Sequence, residues 1–395
     1  MAALTLKDPD WRNGNPILLK YSFAQLNDGG YLNIKKGQIE DIRPCESAAK
    51  ARASSGDYST FAEETTAKAP SPPNGDVIHP VFRQDRWKLA DATDYQYLLP
   101  AVKLASCLLD EPCVLPFFAG LKRSRRELHN PEAERLFKQK LYHFTPYADQ
   151  NSDDYAAVRI ETWRWLAELA EYVTWEFDSY DNIYARTLRS HVVSEKSGGL
   201  QKYASRIIVN DMYLEAVKGV QQQPVAPHSE RMDRQSMLLR THFHLAICLI
   251  HELTHAVHNA IIPRTYDELN KQIPRAAETF FQNDRYTETG WALTQFVLGG
   301  IPAPNGPPLD LRFHYGTHMI DFPGAMDRTE MKFNTLFQFQ TPFQARQAQK
   351  WWYAVEMSYM KKFFTKEFWE RDLRNDPNAT LRYQKTDFRA STIVW

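Results

Sequence analysis

Apolar residues recur at helical spacing over most of the chain beyond Tyr95. From about Asp153 to Phe177, the positions Trp163, Leu166, Leu169, Ala170 and Val173 predict one amphipathic helix with its tryptophans in the core. Asn130-Pro131 predicts another helix start, with asparagine at the cap and proline at the first helical position, where its missing N–H is not needed. The densest apolar run extends from Met237 to Ile262, and nothing in it breaks a helix before Pro263, so a helix buried on most sides is expected. A further helix is expected over 276–300, stopped by Gly299-Gly300 and then Pro302. Period-two signals are fewer. Residues 31–34 and 38–42 suggest a short hairpin around Lys36-Gly37, and Arg206-Ile207-Ile208-Val209-Asn210 reads as a strand. Residues 44–78 are rich in Ala, Ser, Thr, Pro and Lys and read as a linker or long surface loop, because that composition buries little. The pattern divides the chain into an N-terminal segment (1–43), a linker (44–78) and an α+β, predominantly helical domain (79–395).

Composition narrows this picture modestly. The 395 residues suffice for a sizeable core, and 43% hydrophobic content with many aromatics indicates a folded globular protein. Lys+Arg and Asp+Glu balance at 48 each, which gives no electrostatic case for nucleic-acid or membrane binding. The basic run Lys122-Arg123-Ser124-Arg125-Arg126 reads as a solvated helix face. Asp8, Asp10 and Arg12 interrupt any apolar stretch near the N-terminus, and no segment approaches bilayer-spanning length. Cys45, Cys107, Cys113 and Cys248 show no CxxC spacing, so reduced thiols in an intracellular, cytoplasmic protein are expected.

One stretch carries a specific chemistry. His251-Glu252-Leu253-Thr254-His255 places two imidazoles one helical turn apart on the same face, with a glutamate beside them. Such a pair holds a zinc ion, and the glutamate lies next to the water that the metal binds. The H-E-x-x-H pattern arises by chance roughly two times in a hundred in a chain of this composition, so context decides. A buried helix carrying two histidines and a glutamate needs partners for them, since unpaired polar burial is costly, and zinc is one such partner. His244 and His258 lie on the same stripe, yet His251 and His258 are about 10 Å apart along the axis, too far for one metal. They are expected to pack or to support the ligands.

A catalytic zinc takes three protein ligands and keeps one position open. The metzincin pattern would need His or Asp at position 261, where the chain has Ile261. The thermolysin-like pattern takes a glutamate from a second helix, and 276–300 offers two. Glu288, which enters an apolar run beside Gly290, is preferred; Glu278 is the alternative. A glycine there permits close helix approach.

These segments together carry a family resemblance. His251-Glu252-Leu253-Thr254-His255-Ala256, then Glu278-Thr279-Phe280-Phe281, then Glu288-Thr289-Gly290-Trp291-Ala292-Leu293 and the closing Gly299-Gly300 resemble a group of fungal zincin-like proteins. Those carry H-E-L-x-H, E-P-F-F, E-L-G with a tryptophan, and a terminal G-G. The stretch from Met360 to Trp369 is similar to their usual ending, so the resemblance covers about 235–370. Thr279 stands where proline is common and Thr294 where a second acidic residue is common. The resemblance implies a gluzincin-like fold and a zinc ion, with zincin-like metal-binding helices and a small sheet beside the cleft; it implies no substrate.

The expected function is that of a zinc-dependent metallohydrolase, peptidase-like, with zinc on His251, His255 and Glu288 and with Glu252 as general base. Residues 206–210 are assigned as the edge strand on which an extended peptide would pair. His314, Tyr315, His318 and Tyr286 are candidates for steadying an oxyanion. Two other readings stay open: a non-hydrolytic zinc enzyme acting on a small molecule, and a metal-stabilised scaffold.

Overall fold

In the computed structural model, the residues described are 78–128, 141–147, 153–180, 183–190, 204–222, 234–261, 278–282, 288–305, 316–320, 350–355, 357–376, 379–384 and 390–393. They form an α+β fold in which helices predominate. The expected hairpin at 31–42, the linker up to residue 77 and the helix start at Asn130-Pro131 lie outside the described residues. In chain order the elements begin with β1 (Trp87–Lys88), α1 (Tyr95–Asp110), α2 (Leu115–Arg123), β2 (Arg126–Leu128), β3 (Leu141–Phe144) and α3 (Asp153–Glu168). Next come β4 (Val173–Asp178), β5 (Ala185–Ser190), β6 (Ala204–Asn210), α4 (Met212–Gln222) and α5 (Arg234–Ile261). Last are β7 (Phe280–Phe281), α6 (Thr289–Leu298), β8 (Ile301–Asn305), β9 (Gly316–Ile320), β10 (Lys350–Val355), α7 (Met357–Lys362) and β11 (Ala390–Ile393).

Helix α5 is the spine. Its 28 residues make it about 42 Å long. It packs against α1, α4, α6 and α7 and against β5 and β6. Phe243, Leu245, Ala246, Leu249, Ile250, Leu253, Ala256 and Val257 are buried along it, so the expected helix, closed in on most sides, is present. Each such large apolar side chain contributes about 1.5–3 kcal/mol through burial, which fixes the helix in depth and rotation. The backbone positions that carry polar side chains on the same helix are therefore fixed by apolar packing.

Three sheets are formed among the described residues, where one small sheet was expected. The first has the order β1-β4-β6-β5, with β1, β4 and β6 parallel and β5 antiparallel to β6. The second, β11-β10-β9-β8, is antiparallel throughout. The third joins β2, β3 and β7. The assignment of 206–210 to an edge is corrected: β6 lies inside its sheet, and Ile207 pairs with Trp175 on one side and Thr187 on the other. Its consecutive buried residues Ile207, Ile208 and Val209 suit a strand covered on both faces. Among the described residues the edges of this sheet are the two-residue β1 and β5, and it is β5 that lies beside β6, with Arg186 and Arg189 suited to an exposed margin.

The helix expected over 153–177 is likewise shorter. α3 ends at Glu168, a 3₁₀ turn covers Leu169–Tyr172, and β4 follows. From Val173 onward β-branched and aromatic residues alternate with polar ones, and Val173 and Trp175 bury on one side of the strand. Trp175 stacks on Trp87 at 5.4 Å and donates its indole N–H to the Val81 carbonyl at 2.8 Å. Leu166, Leu169, Ala170 and Val173 are buried as expected, but Trp163 is 37% exposed and donates to the Asp110 carboxylate at 2.5 Å. The basic run is only partly a helix face: α2 ends at Arg123, where Lys122 and Arg123 are exposed and pair with Glu161, while Arg125 covers the Tyr142 ring at 4.0 Å and Arg126 opens β2.

Cys107, Cys113 and Cys248 are free thiols. No single described helix is long and apolar enough to cross a membrane; Ala92–Asp110 and Leu115–Arg123 reach that length and composition only together, across a 62° bend.

Candidate metal centre

The pair on α5 forms as its spacing demands. His251 and His255 lie one turn apart with ring centroids 4.9 Å apart, and their Nε2 atoms approach to 3.2 Å. α6 crosses this turn at Gly290. A Cβ built there would lie 2.6 Å from the His251 ring, so only glycine lets the two elements meet this closely. The close approach expected from Gly290 is what carries Glu288 to the histidines.

The expectation of one helix over 276–300 is corrected. Phe280 and Phe281 form β7, pairing in parallel with His143 and Phe144, and α6 begins only at Thr289. The cause is tertiary: Phe281 joins an aromatic cluster with Phe117, Phe144 and Phe296 at 5.0, 5.2 and 5.7 Å. At its other end α6 stops as expected, with Gly299 in the left-handed conformation at φ 77°.

Glu288 consequently caps α6 instead of lying inside it. One carboxylate oxygen accepts from the Trp291 amide at 2.5 Å, which satisfies an orphan donor of the first turn. The other, Oε1, faces the imidazoles, 2.7 Å from His255 Nε2 and 3.3 Å from His251 Nε2. Glu278 stands on the far side of His255. Its Oε1 accepts from His255 Nδ1 at 2.5 Å, and its Oε2 accepts from the Thr289 amide and hydroxyl, both at 2.9 Å. A proton on Nδ1 leaves the lone pair on Nε2, the atom that faces Glu288 and His251. His251 Nε2, His255 Nε2 and Glu288 Oε1 thus form the group of ligand atoms, all within 4.8 Å of one another, while Glu278 acts on the back of His255.

The electrostatics follow from this clustering. Burial works against a charged His255, but the Glu278 and Glu288 carboxylates outweigh it and hold the imidazole well above its usual range. Burial would raise Glu288 too, yet the His251 and His255 imidazoles hold it below the ordinary carboxylate range. Glu278 is lowered in the same way by His255. The side chains of His251 and His255 keep 17% and 16% exposure, so neither is fully closed off from solvent.

Glu252 is buried one residue along the same helix. Its Oε1 is 4.0 Å from His251 Nε2, and its Oε2 accepts from the Thr187 hydroxyl at 2.7 Å. Thr187 belongs to β5, so the edge strand is tied to the motif directly. The same strand is fixed about two turns further along α5, where Arg189 donates to Asn259 Oδ1 at 2.7 Å and Asn259 donates to Ser205 Oγ at 3.1 Å. Neither Thr187 nor Thr289 was found by sequence reasoning. Thr187 lies 65 residues upstream of its partner with no local signal, and Thr289 is hidden in what reads as a helix interior.

The neighbouring histidines support this arrangement without entering it. His258 Nε2 accepts from the Thr279 amide at 3.1 Å, next to Glu278, and burial holds its pKa down to about 3. A proline at 279 would have no N–H to give. Thr294 hydrogen-bonds to the Gly290 carbonyl at 2.9 Å. His244 Nε2 meets Thr317 Oγ1 on β9 at 3.1 Å. Tyr286, His314, Tyr315 and the side chain of His318 lie outside the described residues. A surface groove lined by Lys122, Ile160, Arg164 and Trp165 involves none of these groups. Comparisons with protein-family models, curated proteins and solved structures gave no match to the chain.

Proposed function

We propose that the chain is a zinc-dependent metallohydrolase, peptidase-like, in which His251, His255 and Glu288 hold the metal. The observation that carries this reading is the convergence of His251 Nε2, His255 Nε2 and Glu288 Oε1, at mutual separations of 3.2, 3.3 and 2.7 Å. Donors about 2.0–2.1 Å from a tetrahedral zinc stand roughly 3.3 Å from one another, and two imidazoles with one carboxylate match the ion's preferences. The donor set therefore fits zinc in both chemistry and spacing. The Glu278 bond to His255 Nδ1 adds the orienting partner that metal-binding histidines ordinarily have.

When bound, zinc supplies Lewis acidity toward a carbonyl oxygen and acidifies a coordinated water. The chain's own groups supply the rest. Glu252 Oε1, turned toward the histidines, takes a proton and returns it to the leaving group. Partial exposure of the two histidines leaves room for a substrate carbonyl. The edge of β5, joined to Glu252 through Thr187, offers backbone hydrogen-bonding groups to an extended substrate, which favours a peptide.

The test separates the base from the ligands. Glu252→Gln is expected to retain zinc and the wild-type melting temperature, and to lose about a hundred- to ten-thousand-fold in turnover of a quenched-fluorescence peptide library. Wild-type turnover in this variant would refute the role given to Glu252. Absence of stoichiometric zinc from the wild-type protein would refute the metal reading itself.

A further inference from the structure

We infer that Thr187 is a positioning residue that holds the Glu252 carboxylate in its working orientation, an inference that rests on the metallohydrolase reading. Glutamate has three rotatable side-chain bonds and loses about 1.5–2 kcal/mol of rotamer freedom when fixed, so a base is effective only if something other than the substrate fixes it. The apolar packing of α5 fixes the backbone at 252 but does not choose among the carboxylate's orientations. Thr187 does. Its hydroxyl stands 2.7 Å from Glu252 Oε2 and 3.0 Å from the Glu252 carbonyl oxygen. A hydroxyl has one hydrogen to give, and the nearer, charged acceptor is the stronger one. With Oε2 engaged in this way, Oε1 is the oxygen left facing His251, at 4.0 Å.

The strand is in turn unable to drift. Thr187 pairs with Ile207 in β6, and the Arg189–Asn259–Ser205 chain of hydrogen bonds ties β5, α5 and β6 together beyond it. The β-branched methyl of threonine suits a strand, while its hydroxyl serves the helix. This gives the edge strand a second task. Besides offering its backbone margin to a substrate, it aims the base.

The experiment uses the zinc-loaded full chain and acetohydroxamate, a small chelator that binds zinc through two oxygens and brings a polar hydrogen to an adjacent carboxylate. Affinity is read by calorimetry, alongside zinc content and melting temperature. Thr187→Val keeps shape and strand preference but removes the O–H, and is expected to weaken acetohydroxamate about tenfold, the effect of losing one hydrogen bond to a charged group. Thr187→Ser is expected to bind within about threefold of wild type. The Thr187→Ser and Thr187→Ala pair repeats the comparison in a smaller side chain should valine disturb folding. In the Glu252→Gln background Thr187→Val is expected to add little, because its effect passes through that carboxylate. Equal affinity for wild type and Thr187→Val, or full additivity with Glu252→Gln, overturns the positioning role. A wild-type protein that holds no zinc overturns the metallohydrolase reading, and the inference with it.

Discussion

Four of the five histidines on the one long helix form two pairs, and the fates of the pairs diverge. His242 and His244 sit in its first half, His251 and His255 in its second. His242 and His244 are buried, and burial holds both imidazoles down to about 3, with Arg240 adding to the effect at His244. His255 is largely covered too, yet it is held well above its usual range because Glu278 and Glu288 come to it from elsewhere in the chain. The helix and the residue type are the same in both halves. What separates an inert histidine from a candidate ligand is the set of carboxylates that the rest of the fold delivers. Histidine content and helix burial alone do not mark the site.

The comparison breaks first at the ligands themselves. His251→Ala, His255→Ala and Glu288→Gln are each expected to abolish stoichiometric zinc, measured by elemental analysis after dialysis, whereas His244→Ala is expected to keep it. Retention of zinc by the first three would erase the distinction between the two halves. Glu278→Gln should behave differently, because it touches the back of His255 and not the ligand face. Loss of an orienting partner of this kind lowers metal affinity about 10- to 100-fold. Competition with a chromophoric chelator resolves that loss, and an effect as complete as that of Glu288→Gln would exchange the roles of the two glutamates.

The contact between α5 and α6 is the next point of pressure. Gly290→Ala places a Cβ 2.6 Å from the His251 ring, so one of the two must move. Forced overpacking of this sort costs about 1–3 kcal/mol. The variant is expected to melt below the wild type and to bind zinc more weakly, since the displaced ring is a ligand. Unchanged zinc affinity would mean that Glu288 reaches the metal without this close crossing.

How much of this was legible in the sequence depended on range. The spacing of His251 and His255 is a one-turn relation, fixed by the helix alone, and it was readable directly. Gly290 and the stop at Gly299 were readable for the same reason, since each answers a local steric need. The division of labour between Glu278 and Glu288 was only half readable. Both glutamates were visible, but the break between them depends on β7 pairing with β3, more than a hundred residues earlier. The edge strand was misplaced from the same cause. The apolar run 206–210 is the more conspicuous strand because it is covered on both faces, whereas the edge strand beside it, β5, is diluted by arginines. Thr187 could not be read at all, because a lone threonine acquires its role only when the sheet lays it against α5.

The smallest expected effect tests the inert half. His242 Nδ1 is buried without a hydrogen-bond partner among the described residues. Burial lowers its folded pKa to about 3 from an ordinary 6.5. Above pH 6.5 the side chain is neutral in both folded and unfolded chains and contributes no pH dependence. As the pH falls below 6.5 the unfolded chain takes up a proton that the folded chain refuses until about pH 3, so stability declines through that window. The slope from one such group is at most about 1.4 kcal/mol per pH unit. His242→Leu removes the group and replaces an unsatisfied buried polar atom with an apolar one. The stability difference between variant and wild type, taken from urea unfolding at each pH, is therefore expected to be small or slightly positive at pH 7 and to grow in favour of the variant toward pH 4. Taking the difference cancels the pH dependence of zinc binding, which both proteins share. A difference that stays flat from pH 7 to pH 4 would show that His242 titrates normally, and that burial does not set it apart from His255.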